Sequence, residues 1–318
     1  MQETLKILVV RFSSIGDIVL TSPVVRMLKK QLNAEVHFLT KSAYVSLLKN
    51  NPYIDSVYQI DASINEVIGD LKKENYDYVI DLHNNLRTQI LKFKLGVPSR
   101  SFNKLNMEKF MLTTFKMDSI PKVHIVDRYL DTVLHLGIKN DNEGLDFFLS
   151  AKDEVDVSFF PNNYTAFVIG GQHATKILPT KKIISIIKNI DKPVLLIGGP
   201  EDGYRGEEIA KACDKVVNTC GKYSVLASAS LIKQAEMVIT HDTGMMHIAA
   251  AFGQKIYSVW GNTVPEFGMY PYKASASSKR IEVQNLSCRP CSKIGYSKCP
   301  KGHFKCMQEI DEKLFLSE

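Results

Sequence analysis

MVITHDTGMMHIAAAFG, residues Met237 to Gly253, decides how the rest of the chain is read. An apolar, β-branched run ends at His241-Asp242-Thr243-Gly244, and a small-residue helical stretch carrying His247 follows at once. A strand passing directly into a helix is one half of a β-α unit in a parallel sheet. The turn places an acid, a hydroxyl and a glycine where the first helix amides lack internal partners and the helix dipole is positive. Such a helix start receives anions. Gly244 permits close backbone approach. Asp242 also has a plainer reading, as a helix N-cap.

Working outward, the second half alternates throughout. YTAFVIGG, PVLLIGG, KVVNTC, MVITHD and KIYSVWG read as strands. KKIISIIKNI, YRGEEIAKAC, SVLASASLIKQA and GMMHIAAAFG read as helices between them. The first half does the same, with strands LKILVVRF, EVHFLT, SVYQI and YDYVIDL and helices SPVVRMLKKQL, YVSLLKNN and INEVIGDLKKE. A less regular basic segment then leads to a helical VHIVDRYLDTVLHLG and the Asp- and Asn-rich IKNDNEGLDFFLSAKDEVD, which reads as a linker. With 318 residues, 45% hydrophobic and 23% charged, the chain has material for two globular cores. The expectation is two Rossmann-like domains, 1–150 and 151–318, with parallel sheets facing across a cleft. Ligands of such sheets bind outside the carboxyl ends of the strands.

The strand-end loops exclude two common classes. RFSSIGDIVLTSP has one glycine, Gly16, where a dinucleotide fingerprint needs three, and no Walker motif occurs. No apolar run is long enough for a membrane span, and the N-terminus reads as a strand rather than a signal peptide. A cytoplasmic protein with reduced cysteines is expected. The net charge of +6 is concentrated. Between Asn84 and Arg128 stand nine Lys or Arg against three acids, an excess of six that equals the whole chain's. A solvated basic face is the bland reading. A surface for a polyanion, whether nucleic acid, membrane or acidic acceptor, is the functional one.

Four further loops hold candidates. GGQHATKILPTKK carries Thr175 and Lys176 after a strand, where the lysine would neutralise a diphosphate. IGGPEDGYRG offers Glu201 and Asp202 as partners for ribose hydroxyls. RFSSIGD sets Asp17 in a Ser-Gly turn, either as a helix-start acid or as a general base. Cys288, Cys291, Cys299 and Cys306, with His303 among them, have a spacing compatible with structural zinc or with packed thiols.

ILVVRFSSIGDIVLTSPVVRMLK resembles the opening of the bacterial heptosyltransferases, glycosyltransferase family 9, which act in lipopolysaccharide core synthesis. VITHDTGMMHIAAAFGQKIYSVWGNTVPEFGMYPY resembles that family's signature, and CRPCSKIGYSKCPKGHFKCMQEI is similar to a cysteine-rich tail in many members. The likeness spans nearly the whole chain. It implies a GT-B fold with an acceptor domain first and a donor domain second, and inverting transfer from a nucleotide sugar such as ADP-heptose. It requires no cofactor or metal. Asp17 becomes the base. Lys176 and the Asp242-Thr243-Gly244 turn become the diphosphate site, with Thr175 and His247 beside them and Asp202 on the ribose. The Asp202 loop matches more loosely, since many members run several acids together there. Ser14, Gly16, Arg87 and Arg128 fall on the acceptor side. The basic segment would suit an anionic glycolipid and peripheral contact with the inner membrane, with no nucleic acid involved. Another nucleotide-activated sugar on the same fold is the nearest rival. A non-catalytic binder of nucleotide sugars or nucleic acid is the rival of another class.

Overall fold

The computed structural model of the chain describes residues 4–158, 160–161 and 163–316. It forms two compact units. Residues 1–104 and 123–150 make the first, and 105–122 and 151–318 the second.

The first unit is built on five parallel strands: β1 (Lys6–Val10), β2 (Glu35–Lys41), β3 (Ser56–Ile60), β4 (Tyr78–Asp81) and β5 (Ser99–Ser101). Their order is β3-β2-β1-β4-β5. β1 is central, pairing Val10 with Leu39 on one side and Asp81 on the other. Residues Ile7 to Val10 are fully buried, as expected for a strand covered on both faces. The helices are α1 (Ile15–Val19), α2 (Ser22–Leu32), α3 (Ile68–Lys73), α4 (Leu86–Leu95) and, in the returning segment, α6 (Ile125–Leu130). The stretch YVSLLKNN, expected as a helix, forms only a 3-10 turn over Ser42–Leu47.

The second unit carries six parallel strands: β6 (Thr165–Val168), β7 (Val194–Ile197), β8 (Val216–Asn218), β9 (Met237–His241), β10 (Lys255–Trp260) and β11 (Lys279–Glu282). The order is β11-β10-β9-β6-β7-β8. Its helices are α5 (Asn106–Phe115), α7 (Thr180–Lys188), α8 (Gly203–Ala212), α9 (Val225–Gln234), α10 (Gly244–Ala251) and α11 (Lys305–Gln308). Ile183, Ile186 and Ile187 of α7 pack with Phe167, Leu196, Ile239 and Val259 of the strands.

Two segments depart from the expected division. Residues 105–122, expected in the first domain, cluster with the second unit, because Leu105, Leu112 and Ile120 pack on Val264 and Phe267. Residues 138–150, expected as linker, are bound into the first unit by Arg26 of α2. This arginine is 1% exposed. It donates to Asp141 at 2.8 and 2.9 Å and to the Gly144 carbonyl at 3.0 Å, and it also pairs with Asp146. A guanidinium this buried requires such partners.

Candidate functional site

In each sheet the strand order reverses at a crossover, and the loops leaving the strands there form the natural ligand crevice. In the second sheet this point lies between β6 and β9. The loop after β6 brings Lys176, and the turn after β9 brings Asp242. They meet: Lys176 Nζ donates to Asp242 Oδ2 at 2.6 Å and to the Asp242 carbonyl at 3.2 Å. Thr263, just past β10, donates its hydroxyl to the same Oδ2 at 2.8 Å. The carboxylate is largely buried, and the lysine is 17% exposed. Asp242 is therefore committed to holding the ammonium in place.

Thr243 is the N-cap of α10 in extended geometry, and its side chain makes no cap bond to the helix. Its hydroxyl stands 3.5 Å from that of Thr240. Gly244, the first residue of α10, is not among the positive-φ glycines. His247 is buried one turn in. Thr175 is also buried and is tied to the cysteine-rich tail: its hydroxyl accepts from the Tyr296 amide at 2.8 Å, and its amide donates to the Tyr296 carbonyl at 3.1 Å.

Asp202, 7% exposed, accepts from the Gly199 amide at 3.0 Å. Burial raises its pKa, against the pull of that amide. A Cβ added to Gly170 would stand 2.2 Å from Asp202 Oδ2. Asp202 thus occupies the space that a side chain at Gly170 would take. His241, at the end of β9, is fully buried and accepts the Leu178 amide on Nε2 at 3.0 Å. Burial first, then the charge of Arg205, lower its pKa to about 3, so the ring is neutral.

In the first unit the crossover lies between β1 and β4. Asp17, in α1, pairs with Arg11 at 2.7 Å and accepts from the amide and hydroxyl of Ser14 at 3.2 and 2.9 Å. Arg11 is buried and is held by the carbonyls of Ser13 and Leu82 and the Tyr129 hydroxyl. Burial is the largest single influence and opposes its charge, but Asp17, Tyr129 and Asp81 together leave its pKa raised. His83, just after β4, lies edge-on to Phe12 at 5.0 Å. Burial first, then Arg11 and Lys104, lower its pKa to about 4.

Gly16 is buried and Ser14 exposed. Arg87 lies over the Phe12 ring at 5.5 Å and lines a recess of about 500 Å³ with Ile64, Asn65, Leu86, Ile90 and Lys94. Arg128 is 5% exposed and donates to the Asn103 carbonyl at 3.2 Å. It is braced inside the first unit rather than presented to solvent.

Arg11, Thr263 and His83 were not among the residues expected from sequence. Arg11 had a signal, since a charge ending the most apolar strand of a unit must have partners. The six cysteines are free thiols, and among the described residues no three sulfurs lie within 4.8 Å of one another. The group that does meet that spacing is Glu35, His37 and Glu74. The Lys6 ammonium stands against it, 3.2 Å from Glu35 and 2.8 Å from Glu74.

The sequence profile of glycosyltransferase family 9 (heptosyltransferase) matches residues 64–299. The chain is 23% identical over 289 residues to lipopolysaccharide heptosyltransferase 1 of Campylobacter coli, covering 81% of this chain and 84% of that protein. It is similar in structure to a family 9 glycosyl transferase from Veillonella parvula. The TM-score is 0.79 at 21% identity, covering 99% of this chain and 96% of the other. It is also similar to the Escherichia coli heptosyltransferase WaaC with ADP. There the TM-score is 0.67 at 17% identity, covering 86% and 92%. The fold is GT-B, and the protein is a glycosyltransferase. The profile match takes in the second unit's crossover loops and the start of α10, and by it the chain belongs to glycosyltransferase family 9, the heptosyltransferases.

Proposed function

We propose that this enzyme transfers heptose from ADP-heptose, with inversion, to an inner-core lipopolysaccharide glycolipid. The observation that carries the reading is the Lys176–Asp242 pair at the crossover of the second sheet, beside the first amides of α10. The Campylobacter coli relative is named a lipopolysaccharide heptosyltransferase, and the Escherichia coli neighbour is described with ADP; both support the choice of substrates.

In this reading the second unit holds the donor. Lys176 faces the diphosphate. Asp242 does not touch it, since two anions would repel; it aims the ammonium. Thr243 and the amides from Gly244 onward donate to phosphate oxygens, and the α10 dipole adds partial positive charge. Asp202 accepts from a ribose hydroxyl, while Thr175 and His247 shape the loop and the turn. The first unit holds the acceptor near Ser14, Gly16 and the recess beside Arg87, with Arg128 as internal support. Asp17 takes the proton of the acceptor hydroxyl as its oxygen attacks the anomeric carbon. The bond to the diphosphate breaks, and its electron pair leaves with the nucleoside diphosphate. Lys176 and the helix amides stabilise that growing negative charge without an ion or cofactor being assigned to the task. Arg11 and Ser14 fix the direction of the Asp17 carboxylate.

The test offers ADP-, UDP- and GDP-sugars to the purified protein, first in thermal unfolding and then in transfer to a heptose-free inner-core acceptor. An ADP-sugar at a hundredfold excess over its Kd should stabilise the fold by about 2.7 kcal/mol. It should also be the donor consumed. Stabilisation and turnover with a UDP- or GDP-sugar instead would overturn the choice of donor.

A further inference from the structure

Lys176 stands on a slight support. It ends a three-residue 3-10 turn, Ala174–Lys176. Such a turn has poor hydrogen-bond geometry and little stability of its own. The side chain then sets four flexible carbons between backbone and charge. The ammonium is nevertheless fixed on Asp242. The turn is held from outside, and the cysteine-rich tail holds it. Thr175 is 2% exposed. Its amide donates to the Tyr296 carbonyl at 3.1 Å. Its hydroxyl accepts from the Tyr296 amide at 2.8 Å and donates to the Tyr296 carbonyl at 3.2 Å. Gly295, one residue earlier, has a φ of +142°, and a Cβ there would stand 2.5 Å from the Cβ of His173. Only glycine lets the tail lie this close against the turn.

The same tail grips the loop behind Asp242. The Arg289 side chain is 7% exposed and pairs with Glu282 at 2.7 Å. It donates to the carbonyls of Gly261, Val283 and Thr263 at 2.5, 2.8 and 3.0 Å. The Cys291 amide donates to the Asn262 carbonyl at 2.9 Å, and the Asn262 side chain donates to the Ser292 hydroxyl at 3.1 Å. Residues 261–263 thus carry Thr263 to its bond with Asp242. A Cβ on Gly261 would stand 2.8 Å from the Thr175 carbonyl, so the two gripped loops also lie against each other. The Tyr296 hydroxyl donates to the Cys291 carbonyl at 3.2 Å and closes the segment on itself. All of these residues belong to the second unit.

We propose that residues 289–296 are a positioning strap for the Lys176 ammonium, acting through Gly295 and Thr175. The proposal rests on the reading of Lys176 as the cation that faces the diphosphate. A preorganised charge stabilises a departing anion only if it already stands in place. A misplacement of about 1 Å costs on the order of 10²-fold in rate. A tail that only packed against the unit would change its melting temperature and leave transfer alone.

The experiment measures kcat for transfer and ADP affinity by calorimetry in the full chain, with Lys176→Ala as the reference. Gly295→Ala should lift the strap from the turn, lowering kcat about ten- to a hundredfold and weakening ADP binding in the same direction as Lys176→Ala. In the Lys176→Ala background the same substitution should cost about twofold or less, because the group it positions is gone. Thr175→Val should lower kcat about tenfold, while Thr175→Ser, which keeps the hydroxyl, should stay within about threefold of wild type. If Gly295→Ala fails to fold, the Thr175 pair decides. Losses that simply add in the double variant would overturn the proposal, as would equal rates for Thr175→Val and Thr175→Ser. Wild-type behaviour of Gly295→Ala and Thr175→Val beside an impaired Lys176→Ala would bring down the strap alone. Wild-type behaviour of Lys176→Ala itself would bring down the diphosphate reading and the strap with it.

Discussion

Asp242 accepts from Lys176 and Thr263 at once, whereas Asp17 is held by Arg11 and Ser14, and the two acids lie in different units. Their proposed tasks are therefore separable. Asp17→Asn removes a base and should lower kcat by about 10² to 10⁴ while ADP affinity stays near wild type. Near-normal turnover in the purified variant would dismiss the role. Lys176→Ala should do something different. It removes charge that matters most when the diphosphate departs, so kcat should fall by about 10² to 10³ and ADP should also bind more weakly. Calorimetry and single-turnover kinetics together separate the two patterns. Gly244 sharpens the test of the turn. Its backbone is not left-handed, so a side chain there brings no φ strain. Gly244→Val should fold and melt near wild type yet lose ADP affinity more than Gly244→Ala. A valine variant that binds ADP normally would reduce the turn to a helix cap.

At the scale of elements, the segment 138–150 shows how a loop becomes structure. Its acids are the partners of the buried Arg26. Burial raises the Asp146 pKa even beside that guanidinium. Arg26→Ala would leave Asp141 and Asp146 uncompensated and should destabilise the first unit by about 3–5 kcal/mol in urea unfolding. A loss below 1 kcal/mol would show that the loop is merely laid against α2. In sequence this stretch looks like linker because its purpose depends on an arginine 115–120 residues away. The long apolar strands were readable because burial on both faces leaves a composition signature. The edge strands β5, SRS, and β11, KRIE, were not, because polar and charged residues suit exposed edges. α4 and α5 escaped for the opposite reason: their apolar residues point outward as well as inward. Lys176 and Asp242 were each visible as residues following strands. Their contact was not, because it follows from β6 lying beside β9. Thr263 meets Asp242 because β10 lies beside β9, and Arg11 meets Leu82 because β4 lies beside β1.

For the whole molecule, each unit places a neutral histidine at the carboxyl end of a strand at its crossover, His83 after β4 and His241 ending β9. Their folded pKa values, about 4 and about 3, lie below the ordinary value of 6.5. The sign is fixed by linkage: between those values the unfolded chain binds protons that the folded chain refuses. Stability is therefore intact above about pH 6.5 and falls as the pH drops toward 4 in the first unit and 3 in the second. For the fully buried His241 the loss is on the order of 4–5 kcal/mol at the acid end. Asp202, whose pKa is raised by burial, works in the opposite sense and regains part of this in acid. A direct test replaces His241 with Gln, which can still accept the Leu178 amide but has no proton to gain. Thermal melts from pH 7 to pH 4 should fall less steeply for His241→Gln than for wild type, with the two converging or crossing toward pH 4. Parallel curves would mean that His241 is not what makes the second unit acid-labile, and the burial argument for its neutral ring would fail with them.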